Sequence, residues 1–331
     1  MSGVQTKTVG PDEAGMRLDR WFRTHFPAVR HGELEKLLRK GQVRVSGGRA
    51  KSNRRLETGD EIRIPPLTEQ KQNKPPRRFN PEDADAIRKL IIFEDDALIA
   101  LNKPFGLPVQ GGSGATRHID GMLAALEKDG ERPRLVHRLD KDTGGLMLVA
   151  KTRKAAQALS EAFKGRDIEK TYWALTAGVP RPAEGTINLP VAKRMVRIGG
   201  AGQESPGQQR MVPAEGEDAK TALSHYQTLE EAGVVAFLAM QPVTGRTHQL
   251  RVHAAAIGCP IVGDGKYGGA AARLEGVSSK LHLFCRAMRF AHPVTRRTMT
   301  LTAPLTGHMR ETWNFFSFDG EAVCEWPEDL K

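Results

Sequence analysis

Residues 65–86, PPLTEQKQNKPPRRFNPEDADA, constrain this chain more than any other stretch. They mix Pro with polar and charged residues and show no apolar period, so they offer no face to bury and read as an extended linker. A chain of 331 residues interrupted in this way must gather its apolar side chains into two cores, a small one before the linker and a large one after it.

In the small unit, residues 11–65, Leu18, Trp21, Phe22 and Phe26 recur at helical spacing until Pro27. Leu34, Leu37 and Leu38 mark a second short helix that stops at Gly41. VRV at 43–45 and EIRI at 61–64, with turns at Ser46-Gly47-Gly48 and Thr58-Gly59-Asp60, predict a small sheet. Arg20, Arg39, Lys40, Arg44, Arg54 and Arg55, with Arg49 and Lys51, interleave with these apolar positions and are expected on the solvent side. Fifty Lys and Arg against 39 Asp and Glu give a formal charge of +11, which favours a polyanionic partner. A merely solvated basic face fits the same residues.

In the large unit, residues 87–312, KLIIF and ALIALN read as a hairpin about Glu94-Asp95-Asp96, and Ile119, Met122, Leu123 and Leu126 mark a helix. Strands are predicted at 146–150, 170–177, 222–229 and 234–241, with a helix from Arg153 to Phe163. The Gly-, Gln- and Pro-rich stretch from Gly199 to Glu217 is expected to be a loop, and residues 313–331 a tail. Cys259, Cys285 and Cys324 are far apart and form no CxxC pair, which predicts neither a zinc site nor a disulfide framework and suits a reducing cytoplasm. The N-terminus has no apolar signal core, and no apolar run is long enough for a bilayer, so neither secretion nor membrane insertion is expected.

LVHRLDKDTGGLMLVAKT, residues 135–152, carries the densest chemical signal: an apolar entry, a polar loop, then a second apolar strand, with Asp140 where the first ends. A carboxylate between Arg138 and Lys141 is favoured in its charged form, as a nucleophile or base requires, although an ordinary ion-paired aspartate has the same spelling. The kinase spacing H-R-D is broken by Leu139, and NKPFGLPVQGGSG contains neither GxxxxGK[ST] nor GxGxxG. His248 and His253 stand five apart, a poor spacing for a shared metal on a helix.

Taken with EKTYWALTAG at 169–178, PVTGRTHQLRVHAAAIGCPIVGDGKYG at 242–268 and FAHPVT at 290–295, this segment resembles the RluA-like pseudouridine synthases over about residues 88–306. RLDRWF, LEKLLRKGQVRVSG and ETGDEIRI resemble the alpha-L RNA-binding module. The resemblance implies an α+β fold whose mixed, mainly antiparallel sheet is flanked by helices, and an enzyme that isomerises uridine in RNA. It implies catalytic roles for Asp140, Tyr172 and Arg251, with Arg251 paired to Asp140, and substrate contacts from His137, Arg138, Arg246 and His248. The module's cations, Arg20, Arg39, Lys40, Arg44, Arg54 and Arg55, would hold RNA.

An isomerisation of this kind calls for no cofactor and no metal, and the resemblance suggests a monomer. NKPFGLPVQGGSG is closer to the RluC-type segment than to the RluD-type one, which points to large-subunit ribosomal RNA or ribosome assembly intermediates as partner. A transfer-RNA-directed synthase and a non-catalytic RNA-binding assembly factor are the alternatives. Two positions depart from the family pattern: Gly144 stands where Ser is usual, and Phe284 where His is common.

Overall fold

The computed structural model describes residues 3–29, 31–67, 81–111, 117–196, 208–324 and 326. Two compact units emerge, Met1–Arg78 and Phe79–Lys331.

In the first unit, strand β1 (Gln5–Thr8) precedes helices α1 (Leu18–His25) and α2 (His31–Arg39), and strands β2 (Arg44–Val45) and β3 (Glu61–Ile64) complete a sheet in the order β1-β3-β2. The β1 strand extends the unit ahead of residue 11, the boundary expected from the sequence. Leu18, Trp21, Phe22, Leu34 and Leu38 pack on Ile62 and Ile64, which alternate with exposed Glu61 and Arg63 as a one-sided sheet requires. Three of the six cations expected to hold RNA also bond to the unit's own loops. Arg44 donates to the carbonyls of Gly41 and Gly47, Arg54 to Asp60, and Arg55 to the Gly15 carbonyl. Arg20, Arg39 and Lys40 are exposed, and Arg39 shares a groove with Arg49, Lys51 and Ser52.

The second unit opens on α3 (Pro81–Arg88), so residues 81–86 are helical and not linker; Ala84 and Ile87, three apart, bury against the core. The stretch 68–80 lies outside the described residues. Next come β4 (Ile91–Glu94), β5 (Leu98–Lys103), α4 (Ile119–Met122), β6 (Arg134–Leu135), β7 (Gly144–Ala150), α5 (Arg153–Gly165), β8 (Glu169–Ala177), β9 (Glu184–Asn188), β10 (Val191–Val196), β11 (Gln208–Pro213), β12 (Leu223–Ala232), β13 (Val235–Pro242), α6 (Gln249–Ala256), β14 (Leu283–Ala291), β15 (Thr298–Thr302) and α7 (Gly307–Phe316). Residues 112–116, which include the last three of NKPFGLPVQGGSG, also lie outside the described residues.

One sheet runs β4-β5-β7-β14-β8-β13-β12-β9, with β15 added beside β14 and β6 beside β7. Its pairs are antiparallel except β7 with β14, which is parallel. That parallel contact depends on glycine: a Cβ at Gly145, which sits at φ 101°, would stand 2.3 Å from the Cys285 carbonyl oxygen. The central strands β5, β7 and β13 are buried along their whole length, as strands covered on both faces must be. Side chains alternate accordingly. Trp173, Leu175 and Phe237 enter the large core beneath α7, whereas Ala174, Ala236, Leu238 and Met240 face Leu250 and Ala254 of α6.

Two further expectations change. Residues 208–213, read as loop, form β11 and pair along β10 in a separate hairpin, while 197–207 lie outside the described residues. The tail expected from residue 313 begins inside α7: Trp313 stacks on Trp173 in the core, and Phe318 packs beside it.

Candidate active site

On the α6 side of the sheet a cavity of about 460 Å³ opens, lined among others by Asp140, Tyr172, Arg246, His248, Arg251 and Leu283. Three chain segments that are remote in sequence build it. The loop before β7 supplies Asp140, the middle of β8 supplies Tyr172, and the turn into α6 with that helix's first residues supplies Arg246, His248 and Arg251.

Gln249 fixes the turn. Its amide oxygen accepts from Thr244 Oγ1 at 2.6 Å and from the Arg246 N–H at 3.0 Å, while its amide nitrogen donates to Leu223 O at 2.8 Å and Ser224 Oγ at 2.9 Å. With both ends satisfied, a buried glutamine pins the loop to β12. His248 sits just before α6 at φ 54°, a left-handed conformation that histidine tolerates better than most residues. Its Nε2 lies 3.7 Å from Asp140 Oδ2. Burial lowers the imidazole's pKa; Asp140 opposes this, and Arg251 and Lys266 reinforce it.

Arg251 does not pair with Asp140 as expected. It makes a two-pronged bond to Asp264, with Nε 2.8 Å from Oδ2 and Nη2 2.7 Å from Oδ1, and Asp264 also accepts from the Lys266 and Tyr267 N–H groups. The reason is geometric, since a buried carboxylate held by two backbone donors meets the planar guanidinium side-on, the strongest arrangement open to it. Arg251 therefore acts on Asp140 as a nearby charge.

Tyr172 also lies in the cavity wall. Burial raises its phenol well above the ordinary range, with Cys285 adding to the effect, so it is a neutral hydroxyl at neutral pH. His137 lines the cavity but is built into its wall: Nε2 accepts from the Leu148 N–H at 2.8 Å and the ring stacks on Phe163 at 4.2 Å. Burial pushes its pKa down to about 3. Arg138 is exposed at the rim, and Arg246 Nε donates to Thr221 O at 3.0 Å. His253 is structural, bonding Ser224 Oγ and Leu189 O. Among the described residues no cluster of His, Cys, Asp or Glu is arranged to hold a metal.

Three groups near the site lie inside the quoted segments, where the sequence assigns them no role: Asp264, Tyr267 and Lys103. Lys103 is fully buried, and its ammonium donates to the carbonyls of Pro104, Leu107 and Lys141, tying one loop to the residue after Asp140. Burial lowers its pKa to about 8, opposed by Asp142 and Asp140. The two departures from the family pattern meet at one ring. A Cβ on Gly144 would lie 2.7 Å from Phe105, whose ring is 5.9 Å from that of Phe284, so Phe105 occupies the space a serine would need.

The ten-stranded sheet thus carries Asp140, Tyr172 and Arg251 in one cleft, and the comparisons with known proteins place a chain of this fold in the pseudouridine synthase class. The chain matches the RNA pseudouridylate synthase family model over residues 97–256. It is 36% identical over 312 residues to a ribosomal large subunit pseudouridine synthase C of Yersinia pestis, covering 93% of this chain and 94% of that one. With the protein of the same name from Escherichia coli K12 it shares 33% identity over 307 residues, 91% and 93% of the two chains. Among solved structures it is similar to human RNA pseudouridylate synthase domain containing 4, with TM-score 0.58 and 29% identity over 71% of this chain and 95% of that one. The chain belongs to the pseudouridine synthase family, in its RluA-like branch, and is an RNA pseudouridine synthase. Among the described residues no helix is long and apolar enough to cross a membrane.

Proposed function

We propose that this enzyme converts uridines of large-subunit ribosomal RNA to pseudouridine, with Asp140 as its catalytic carboxylate and the N-terminal unit as an RNA-holding module. The observation that carries the reading of the site is the position of Asp140: its carboxylate stands in the same cavity as Tyr172, with Arg251 and His248 as its basic surroundings. The reaction breaks the bond from uracil N1 to ribose C1′ and rejoins the base through C5, losing the C5 proton. The first step develops positive charge on the sugar, as in glycoside cleavage, and one ionised carboxylate answers that charge either by adding to C1′ or by taking the 2′ proton. The base must stay bound while it turns, so the site needs a dry wall and no second carboxylate to activate water.

Leu283 and the Tyr172 ring supply an apolar wall for a uracil taken out of its stack. Because its phenol is held protonated, Tyr172 serves first as a packing surface and hydrogen-bonding hydroxyl. Arg138, exposed beside the cavity, is suited to a phosphate or to the gap left by the flipped nucleotide.

The ribosomal substrate is supported by the names of the bacterial relatives, which span nearly the same length. We place the enzyme in the cytoplasm, acting as a monomer on ribosomal RNA or its assembly intermediates. Pseudouridine mapping of ribosomal and transfer RNA from cells lacking the protein, with and without the wild-type or Asp140→Asn gene restored, tests this. Sites absent from large-subunit RNA and restored only by the wild type are expected; losses confined to transfer RNA would overturn the substrate.

A further inference from the structure

With Arg251 committed to Asp264, a different group faces Asp140, and the structure shows what holds that group in place. We infer that Tyr267 is a positioning residue: its hydroxyl fixes His248 in the tautomer that presents Nε2–H to the Asp140 carboxylate. This rests on the reading of Asp140 as the catalytic carboxylate.

Tyr267 Oη lies 2.7 Å from His248 Nδ1, and His248 Nε2 lies 3.7 Å from Asp140 Oδ2. The three groups form one line from the turn after Asp264 to the cavity. Either ring nitrogen of a neutral imidazole can carry the proton, and the partners decide which. At Nε2 the neighbour is a carboxylate, which favours a hydrogen and repels a lone pair. At Nδ1 the neighbour is a hydroxyl that also accepts from the Met211 N–H at 3.4 Å, leaving its own hydrogen for Nδ1. Both ends therefore select the same form, Tyr267 O–H donating to Nδ1 and Nε2–H directed at Asp140.

The phenol is itself well fixed. Its backbone N–H donates to Asp264, its ring packs with Val191, Met211 and Val252, and the Arg251 guanidinium lies 5.0 Å over the ring. The left-handed backbone at His248 then aims the imidazole between Tyr267 and Asp140. Burial, with Arg251 and Lys266 nearby, favours the neutral ring, while Asp140 and Asp264 favour the cation. In its neutral form the ring turns an N–H toward the Asp140 carboxylate at 3.7 Å, longer than a hydrogen bond, without adding a full charge that would blunt it as a nucleophile or base.

Nitrogen-15 spectra of the His248 ring in the full-length protein at pH 8, assigned by loss of the signals in His248→Gln, read the tautomer directly. In the wild type Nε2 should carry the proton. Tyr267→Phe keeps the ring beneath Arg251 and removes only the hydroxyl, so the two tautomers should mix. Its kcat should fall about tenfold, the size of one net hydrogen bond, with KM for RNA unchanged. Placed on His248→Gln, whose amide nitrogen stands in for Nε2–H without needing Tyr267, the same substitution should cost nothing further. A wild-type ring protonated at Nδ1, or an equal loss on Tyr267→Phe in both backgrounds, would overturn the proposal. The spectra need no turnover, so they decide the role of Tyr267 even if activity in Asp140→Asn were to sink the reading of the carboxylate.

Discussion

Asp264→Asn separates two aspartates that the sequence alone renders alike. The substitution keeps the shape of the side chain but removes the charge and turns one oxygen into a donor facing the Arg251 guanidinium. Asp264 is 1% exposed and Arg251 10%, and their two bonds of 2.7 and 2.8 Å would be replaced by one bond and one donor-donor clash. Breaking a buried pair by removing one charge costs about 3–5 kcal/mol. The lower end applies here, because Arg251 borders the cavity and can reach solvent. For a unit the size of Phe79–Lys331 a loss of about 3 kcal/mol corresponds to roughly 6–12 °C in Tm. Asp140, at 31% exposure and 3.7 Å from His248, is not built in this way, and Asp140→Asn should change stability by no more than about 0.5 kcal/mol. Urea unfolding of both variants measures the contrast. A loss below about 1 kcal/mol in Asp264→Asn, or a large one in Asp140→Asn, would refute the assignment of Arg251 to Asp264.

Gly144→Ser should destabilise by about 1–3 kcal/mol through collision with Phe105, and Phe105→Leu in the same chain should recover part of that loss, a coupling that a double-mutant cycle reads. His137 has a folded pKa of about 3 against an ordinary value of 6.5, so below pH 6.5 the unfolded chain binds a proton the folded one refuses. Stability should therefore fall as the pH drops from 6.5 towards 3, and His137→Gln should flatten that fall in urea midpoints taken at pH 7 and pH 5. In the N-terminal unit, alanine at Arg39 and Lys51 in the full-length chain should lower the magnitude of the salt slope of log RNA affinity by about 0.7–0.9 for each side chain that pairs with phosphate; an unchanged slope would make that groove merely solvated.

What the sequence made legible was whatever depends on local order. The helical spacing of Leu18, Trp21 and Phe22, the hairpin of β4 and β5, and the polar loop holding Asp140 are short-range patterns, and the structure has them. Hidden features depend on partners far along the chain. The β11 strand has little apolar character of its own and exists because β10 pairs with it, and Trp313 joins the core because Trp173, 140 residues away by number, offers a face to stack on. In the site, Asp140, Tyr172 and Arg251 were recognisable from three motifs, but the choice of Asp264 as the Arg251 partner turns on backbone N–H groups that leave no mark in the letters. Lys103 reads as one more cation among fifty and becomes distinctive only once three carbonyls close around it.

The most direct measurement follows tritium released from RNA carrying 5-tritiated uridine, since C5 loses its hydrogen only when the base is rejoined through that carbon. The wild type should release it, and Asp140→Asn, folded and binding the same RNA with the same affinity, should release none above background. Near-normal release by that variant would contradict the assignment of the chemistry to Asp140.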